Sequence, residues 1–302
     1  MAPKTSLKLL SPMQDIVFRM IFGVEIELLK DLLASVTGWS LETFRDLTVV
    51  NSELLPEYPD GKRGVLDIRA QLKSGIAFDV EVQRRMHVGF WERLKCYTNR
   101  MTSEWLKLGE GYTNAFQGIG IAIVDFIIFP GDMISHLYKS WNFGDGVFYP
   151  HSDEIHVLEV PKSHNFPPAA PKDGVTGVDY WVRFLSARSE KELEAMAKIS
   201  PSLQQATGTL ISLSQDKYTR EQILAREKFE RDLEETLRVG REKGREEGRV
   251  EGREEGREEG REENRLEVVR NSLKINLAMD QIAAVTGLPL EEVSRLAGSL
   301  KR

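Results

Sequence analysis

Asp67, Glu81 and Gln83 are the residues whose types and spacing suit a chemical task. They fall in two alternating runs, residues 65–72 and 76–83, separated by Lys73, Ser74 and Gly75, a pattern that predicts a β-hairpin with a short glycine-bearing loop. Side chains alternate along a strand, so Asp67, Arg69 and Gln71 share one face, as do Asp79, Glu81 and Gln83. The register that brings the two apolar sets together over a core pairs Leu72 with Ile76, Arg69 with Asp79 and Asp67 with Glu81. Directly opposed Cβ atoms lie about 4.5–5.5 Å apart, and like charges there are destabilising. Such a pair calls for a bound cation, a shared proton, or basic side chains such as Arg69 and Lys62, unless a bulge or another register separates the acids. Oxygen ligands favour Mg²⁺ or Mn²⁺ over zinc.

The elements around the hairpin are legible from periodicity. Residues 15–38 carry apolar side chains at helical spacing and end at Gly38. A short strand is expected within residues 49–55, then a turn-rich stretch over 57–64. Residues 90–108 read as an amphipathic helix bearing Trp91, Tyr97 and Trp105. Residues 118–129 are almost continuously apolar, as suits a strand covered on both faces. Residues 155–160 read as another strand, and 180–185 open a last ordered segment. The order predicts an α/β fold, a mixed β-sheet core flanked by helices.

From Ser189 onward the pattern turns helical, with Ser189 and Glu192 in capping-box positions. Residues 240–263 repeat glycine, arginine and glutamate with a period of four. Glu254 and Arg257 attract weakly at helical spacing, whereas Arg253 with Arg257 and Glu254 with Glu258 repel. Each glycine costs about 1 kcal/mol relative to alanine in a helix. The tract is therefore a solvated helix or a flexible spacer; a glycine stripe for close pairing with a second chain is the competing reading. Residues 264–302 form short helices with a turn at Gly287 and Pro289. Their helix-turn-helix layout carries Glu291 and Glu292 where a major groove demands basic side chains, which favours helical capping or homo-oligomerisation through this region. The expected segments are 1–187, 188–239, 240–263 and 264–302.

A length of 302 residues accommodates one domain of catalytic size plus an extension. No apolar run approaches the ~18 residues that span a bilayer, and no secretory signal is evident at the N-terminus, so the expected location is cytoplasmic, without membrane association. Cys96, the single cysteine, excludes an intrachain disulfide and a cysteine-rich zinc site; its helical context predicts a buried structural thiol. The net charge of −6 gives no global attraction to nucleic acid, so any DNA contact falls to a local patch such as Arg84, Arg85, Arg93, Lys95 and Arg100. The five histidines form no metal-spaced cluster, and no phosphate-binding loop or nucleophile elbow is present.

Residues 66–83, LDIRAQLKSGIAFDVEVQ, resemble the D…ExQ form of the PD-(D/E)XK nuclease signature found in recombination-promoting nucleases and transposase-like proteins. Residues 15–23, 60–68 and 91–101 are similar to that family's opening helix, to the approach to its first acid and to the helix after its catalytic strand. The resemblance implies a restriction-endonuclease-like core and a metal-dependent DNA endonuclease acting in recombination or mobile elements. It implies that Asp67, Glu81 and the Val82 carbonyl hold Mg²⁺, with Mn²⁺ as a substitute, polarising the phosphate and activating a water.

Gln83 stands where most of the superfamily carries lysine. An amide orients a water or phosphate oxygen but supplies no charge. Lys62 is the candidate for that cation, Asp15 and Glu53 for outer-shell acids, and Arg84, Arg85, Arg93 and Tyr97 for DNA contacts. The competing expectation is a catalytically degenerate nuclease fold that serves as a DNA-binding or assembly module.

Overall fold

A computed structural model describes residues 9–50, 53–54, 64–65, 67–103, 117–149, 151–164 and 170–299. The chain divides into two compact units, residues 1–224 and 225–302, a division by packing where the segments above were divided by composition.

The first unit opens with helix α1 (Asp15–Phe18), which continues as a π-turn through Gly23, then α2 (Ile26–Thr37). Strands β1 (Thr48–Val50), β2 (Glu53–Leu54) and β3 (Gly64–Val65) precede the hairpin of β4 (Ile68–Gln71) and β5 (Ile76–Gln83). Helix α3 (Phe90–Ser103) leads towards β6 (Gln117–Val124). Next come β7 (Ser135–Lys139), the small ribbon of β8 (Trp141–Asn142) and β9 (Val147–Phe148), and β10 (Glu154–Glu159). Helices α4 (Val178–Ser186), α5 (Glu190–Ala197) and α6 (Pro201–Gln215) complete the unit, together with the start of α7 (Lys217–Lys274).

Six strands form one mixed sheet in the order β1-β4-β5-β6-β10-β7. β5, β6 and β10 run parallel, while β1, β4 and β7 pair antiparallel with their neighbours. One face carries Phe78, Val80, Ile119, Ile121, Ile123 and Leu158 into the main core, which α1, α2, α4 and α6 cover with Phe18, Leu29, Leu32, Trp181 and Leu203. The other face is covered by α3, through Phe90 and Leu94 against Ala122, Val124 and Val157, and through Met101 against Ala77. Every residue of β6 is buried, as its apolar run predicts for a strand covered on both faces.

Two readings of the sequence change, and the last ordered segment gains a type. Cys96 is exposed, because α3 turns Leu94, Thr98 and Met101 to the sheet and leaves position 96 on the outer side. Residues 180–185 belong to a helix, whose inward positions Trp181, Val182, Phe184 and Leu185 follow helical spacing. Strands β7, β8 and β9 have no counterpart in the pattern read from the sequence. The capping arrangement holds in part: Ser189 Oγ accepts from the Glu192 N–H, while Glu192 accepts from Arg188 N–H rather than closing back on Ser189.

In the second unit the glycine-arginine-glutamate tract is part of α7, helical and exposed throughout. The end of α7 packs with α8 (Met279–Thr286) and α9 (Leu290–Ser299) around Val269, Ile282, Val293 and Ala297. Gly287 ends α8 at φ 67°, a left-handed cap that glycine adopts without strain.

Candidate active site

The β4–β5 ladder pairs Ile68 with Val80, Arg69 with Asp79, Ala70 with Phe78 and Gln71 with Ala77. This is the register that joins the two apolar sets. The ladder stops at Ile68, and Asp67 sits at the bend just before it. There Asp67 Oδ2 accepts the Val82 backbone N–H at 2.9 Å. The first acid is thus clamped to the peptide that follows Glu81, instead of facing Glu81 as a regular ladder pair.

Glu81 is 5% exposed. Its Oε2 accepts from Gln83 Nε2 at 3.3 Å and lies 3.4 Å from an Arg93 guanidinium nitrogen. Burial raises its carboxyl from the ordinary 4.5 to about 7; Arg93 and the Gln83 hydrogen bond oppose that shift and Asp67 reinforces it. Asp79, two residues earlier on the same face, is fully buried and neither of its oxygens has a hydrogen-bond partner. Burial, then Glu81 and Asp67, push its carboxyl well above the usual range, against Arg93 and Arg69. Tyr97 is raised by burial and then by Glu81, and the Arg93 guanidinium lies 6.0 Å from its ring centre.

Two glycines set how closely α3 covers these acids. A Cβ on Gly118 would meet the Thr98 carbonyl oxygen at 2.7 Å, and one on Gly120 would meet Thr98 Oγ1 at 2.6 Å. Gly120 and Ala122 lie beside Asp79 and Glu81 in the parallel ladder. Small residues on β6 therefore let the helix settle close enough for Arg93 to reach Glu81. The start of α3 is braced from the other side, where Trp91 packs on Phe129 and Tyr138. Phe129 is held by Glu159, which is fully buried and accepts from the backbone N–H groups of Ile128 and Phe129, from Lys162 Nζ at 2.5 Å and from His136 at 2.9 Å.

The fold brings Asp67, Glu81, Val82, Gln83, Arg93 and Tyr97 together. Arg84 and Arg85 follow directly on β5 and are exposed, as is His87. Asp15 is half-buried in the first turn of α1, and the charged groups that act on Glu81 are Arg93 and Asp67. The Glu53 backbone pairs with Val65, two residues before Asp67; its side chain and Lys62 lie outside the described residues. The sequence pattern gives Asp79 only a cross-strand partner in Arg69, although alternation places it on the Glu81 face. Gly118 and Gly120, which belong to no phosphate-binding loop, act in packing instead; the signal for that role is three small residues at alternate positions on β6.

Among the described residues, no group of three or more His, Cys, Asp or Glu has the geometry to hold a metal ion. The donor set that suits a hard divalent cation is Asp67, Glu81 and the Val82 carbonyl, all oxygen. No helix among the described residues is long and apolar enough to cross a membrane. Neither a curated protein nor a solved structure gives a significant match to the chain. The family model of the PD-(D/E)XK nuclease family transposases matches residues 12–240, which span the sheet, both acids and α3, and the chain belongs to that family.

Proposed function

We propose that this protein is a divalent-metal-dependent endonuclease that hydrolyses DNA phosphodiester bonds in recombination or the movement of mobile elements. The observation that carries the reading is the clamp of Asp67 onto Val82, which fixes one carboxylate beside the buried carboxylate of Glu81. Bound there, Mg²⁺ supplies the Lewis acidity that polarises a phosphate and makes water a nucleophile near neutral pH. Asp67, Glu81 and the Val82 carbonyl hold it, and Mn²⁺ substitutes.

The remaining work falls to this chain's own side chains. Gln83 already presents its amide to Glu81, and from that position it orients a water or a phosphate oxygen. Arg93 is 37% exposed at the side chain, so its guanidinium can contact a phosphate while staying near Glu81. Arg84 and Arg85 offer sequence-independent backbone contacts, Tyr97 supports Arg93, and Lys62 is assigned the cation that Gln83 lacks.

A second reading has its own support. Gln83 and Arg93 both satisfy Glu81 internally, as in a nuclease fold that has lost chemistry and binds or assembles. One experiment separates them: nicking of supercoiled plasmid with Mg²⁺ or with EDTA, for wild type and Asp67→Ala. Cleavage that needs Mg²⁺ and is lost in Asp67→Ala supports the endonuclease. Cleavage retained by the variant, or unaffected by EDTA, sinks the site assignment, and no cleavage by wild type favours the degenerate fold.

A further inference from the structure

The loop between β5 and α3 runs Arg84-Arg85-Met86-His87-Val88-Gly89, exposed residues in an unbroken row that begins directly after Gln83. Both of its ends are pinned. The Gln83 carbonyl accepts the Asp125 N–H at 2.9 Å, and the His87 and Gly89 carbonyls accept the N–H groups of Phe90 and Arg93 at 3.2 and 2.9 Å. Phe90 is buried, with Trp91 and Phe126 edge-on to its ring. Gly89 turns the chain at φ 82°, a left-handed value that glycine takes without strain. Between these anchors two apolar side chains stand in water. Met86 is 52% exposed and Val88 108%, the most exposed of the large apolar side chains among the described residues.

A solvated apolar side chain on its own calls for no explanation. Here two of them share a short loop with cations, Arg84 and Arg85 before them and Arg93 in the first turn of α3 after them. An apolar tip between guanidinium groups fits one class of partner, a polyanion with an apolar interior. Arginine holds phosphates, and methionine is among the side chains that enter between base steps, unstacking and kinking a duplex. Met86 lies three residues beyond Gln83, hence within about 10 Å of it along the chain, or about three base steps of roughly 3.4 Å. Any unstacking by this loop therefore happens beside Glu81. That carboxylate is 5% exposed beneath α3, a recess that a strand reaches more readily where stacking is broken.

We infer that residues 84–89 form a DNA wedge: Met86 and Val88 enter between neighbouring bases while Arg84 and Arg85 hold the flanking phosphates. This rests on the reading of the protein as a DNA endonuclease, and it adds a substrate preference to that reading. Unstacking costs free energy in a fully paired duplex and much less where a mismatch has already loosened the bases. The favoured substrate is accordingly a duplex with a local defect in pairing.

The test is fluorescence anisotropy of the full-length protein on two duplexes of equal length, one fully paired and one with a central mismatched bubble. It is run in EDTA, which keeps the strands intact, and again with Ca²⁺. Wild type should bind the mismatched duplex about tenfold more tightly than the paired one. The double variant Met86→Ser, Val88→Ser should bring that ratio close to one. Circular dichroism should report an unchanged fold, as both side chains are solvated, and Met86→Ala alone replaces the double variant if the latter fails to fold. Equal binding of both duplexes by wild type, or a wild-type ratio in the variant, overturns the inference and leaves the endonuclease reading standing. No binding of wild type to either duplex, in EDTA or in Ca²⁺, overturns both.

Discussion

Asp31 and Asp79 are both removed from water, at 2% and 0% exposure, in layers on opposite faces of one sheet. Asp31, on α2, accepts five hydrogen bonds: from Thr176 through its backbone N–H and its hydroxyl, from Trp181 Nε1, and from the hydroxyls of Ser35 and Ser202. It ties α2, α4, α6 and the segment before α4 into one layer. Asp79 accepts none. Burial therefore does not distinguish an acid held by its neighbours from one that is not; the census of donors does. The helical layer around Asp31 satisfies that acid from within, whereas the layer under α3 leaves the Asp79 carboxyl without a hydrogen-bond donor.

The largest expected effect lies on the satisfied side. Asp31→Ala takes the acceptor from the Thr176 and Trp181 N–H groups and from the Thr176, Ser35 and Ser202 hydroxyls, and each buried donor left unsatisfied costs about 1–3 kcal/mol. Urea denaturation followed by tryptophan fluorescence should show a midpoint lowered accordingly. A loss under about 1 kcal/mol would mean that Asp31 is no more structural than Asp79, and the contrast would fail.

Next in size is the pH response of the candidate site. The folded-state value for Glu81, about 7, lies above the ordinary 4.5, so the folded protein holds that proton more tightly than the unfolded chain. The stability that Glu81 contributes to the metal-free protein is complete below about pH 4.5. It is lost as pH rises to about 7, by on the order of 3 kcal/mol. Denaturation in EDTA at a series of pH values should show this fall, and Glu81→Gln should reduce it. A flat profile in wild type would mean that Glu81 is solvated or better paired than its surroundings indicate.

Much of this site was legible because its signals are local. Alternation and the apolar sets gave the hairpin register through Arg69 and Asp79, and helical spacing gave α3 with Arg93 and Tyr97 one turn apart. The buried β6 followed from its unbroken apolar run. What escaped the sequence is decided at long range. That Asp31 meets Thr176 and Trp181 depends on contacts some 145–150 positions away. That Asp79 lacks a donor depends on where Thr98 spends its hydroxyl. The Cys96 thiol faces outward because of the rotation of α3, which its neighbours on β6 determine. β7 is half-exposed at the edge of the sheet, where one-sided burial leaves little apolar signal.

Glycine gives a smaller effect and the same lesson. A Cβ on Gly118 must displace the Thr98 carbonyl, which lies in helical backbone and yields poorly. Gly118→Ala should therefore cost about 1–3 kcal/mol through overpacking and lift α3 away from Glu81. In contrast, a Cβ on Gly252 in α7 meets nothing within 4 Å, so Gly252→Ala should raise helix stability by about 1 kcal/mol. Thermal unfolding of the two variants should move in opposite directions; a destabilising Gly252→Ala would place an unseen partner against that helix.

The smallest effect has the most informative sign. Replacing a buried, poorly paired charge with an apolar side chain is often neutral or stabilising. Asp79→Val keeps a β-favouring side chain on β5 and removes the orphaned oxygens. In EDTA at pH 7.5 it should be as stable as wild type or gain about 1 kcal/mol, whereas Asp31→Val should be strongly destabilised. If Asp79→Val unfolds as readily as Asp31→Val under metal-free conditions, Asp79 has a partner within the chain, and the contrast between the two buried acids fails.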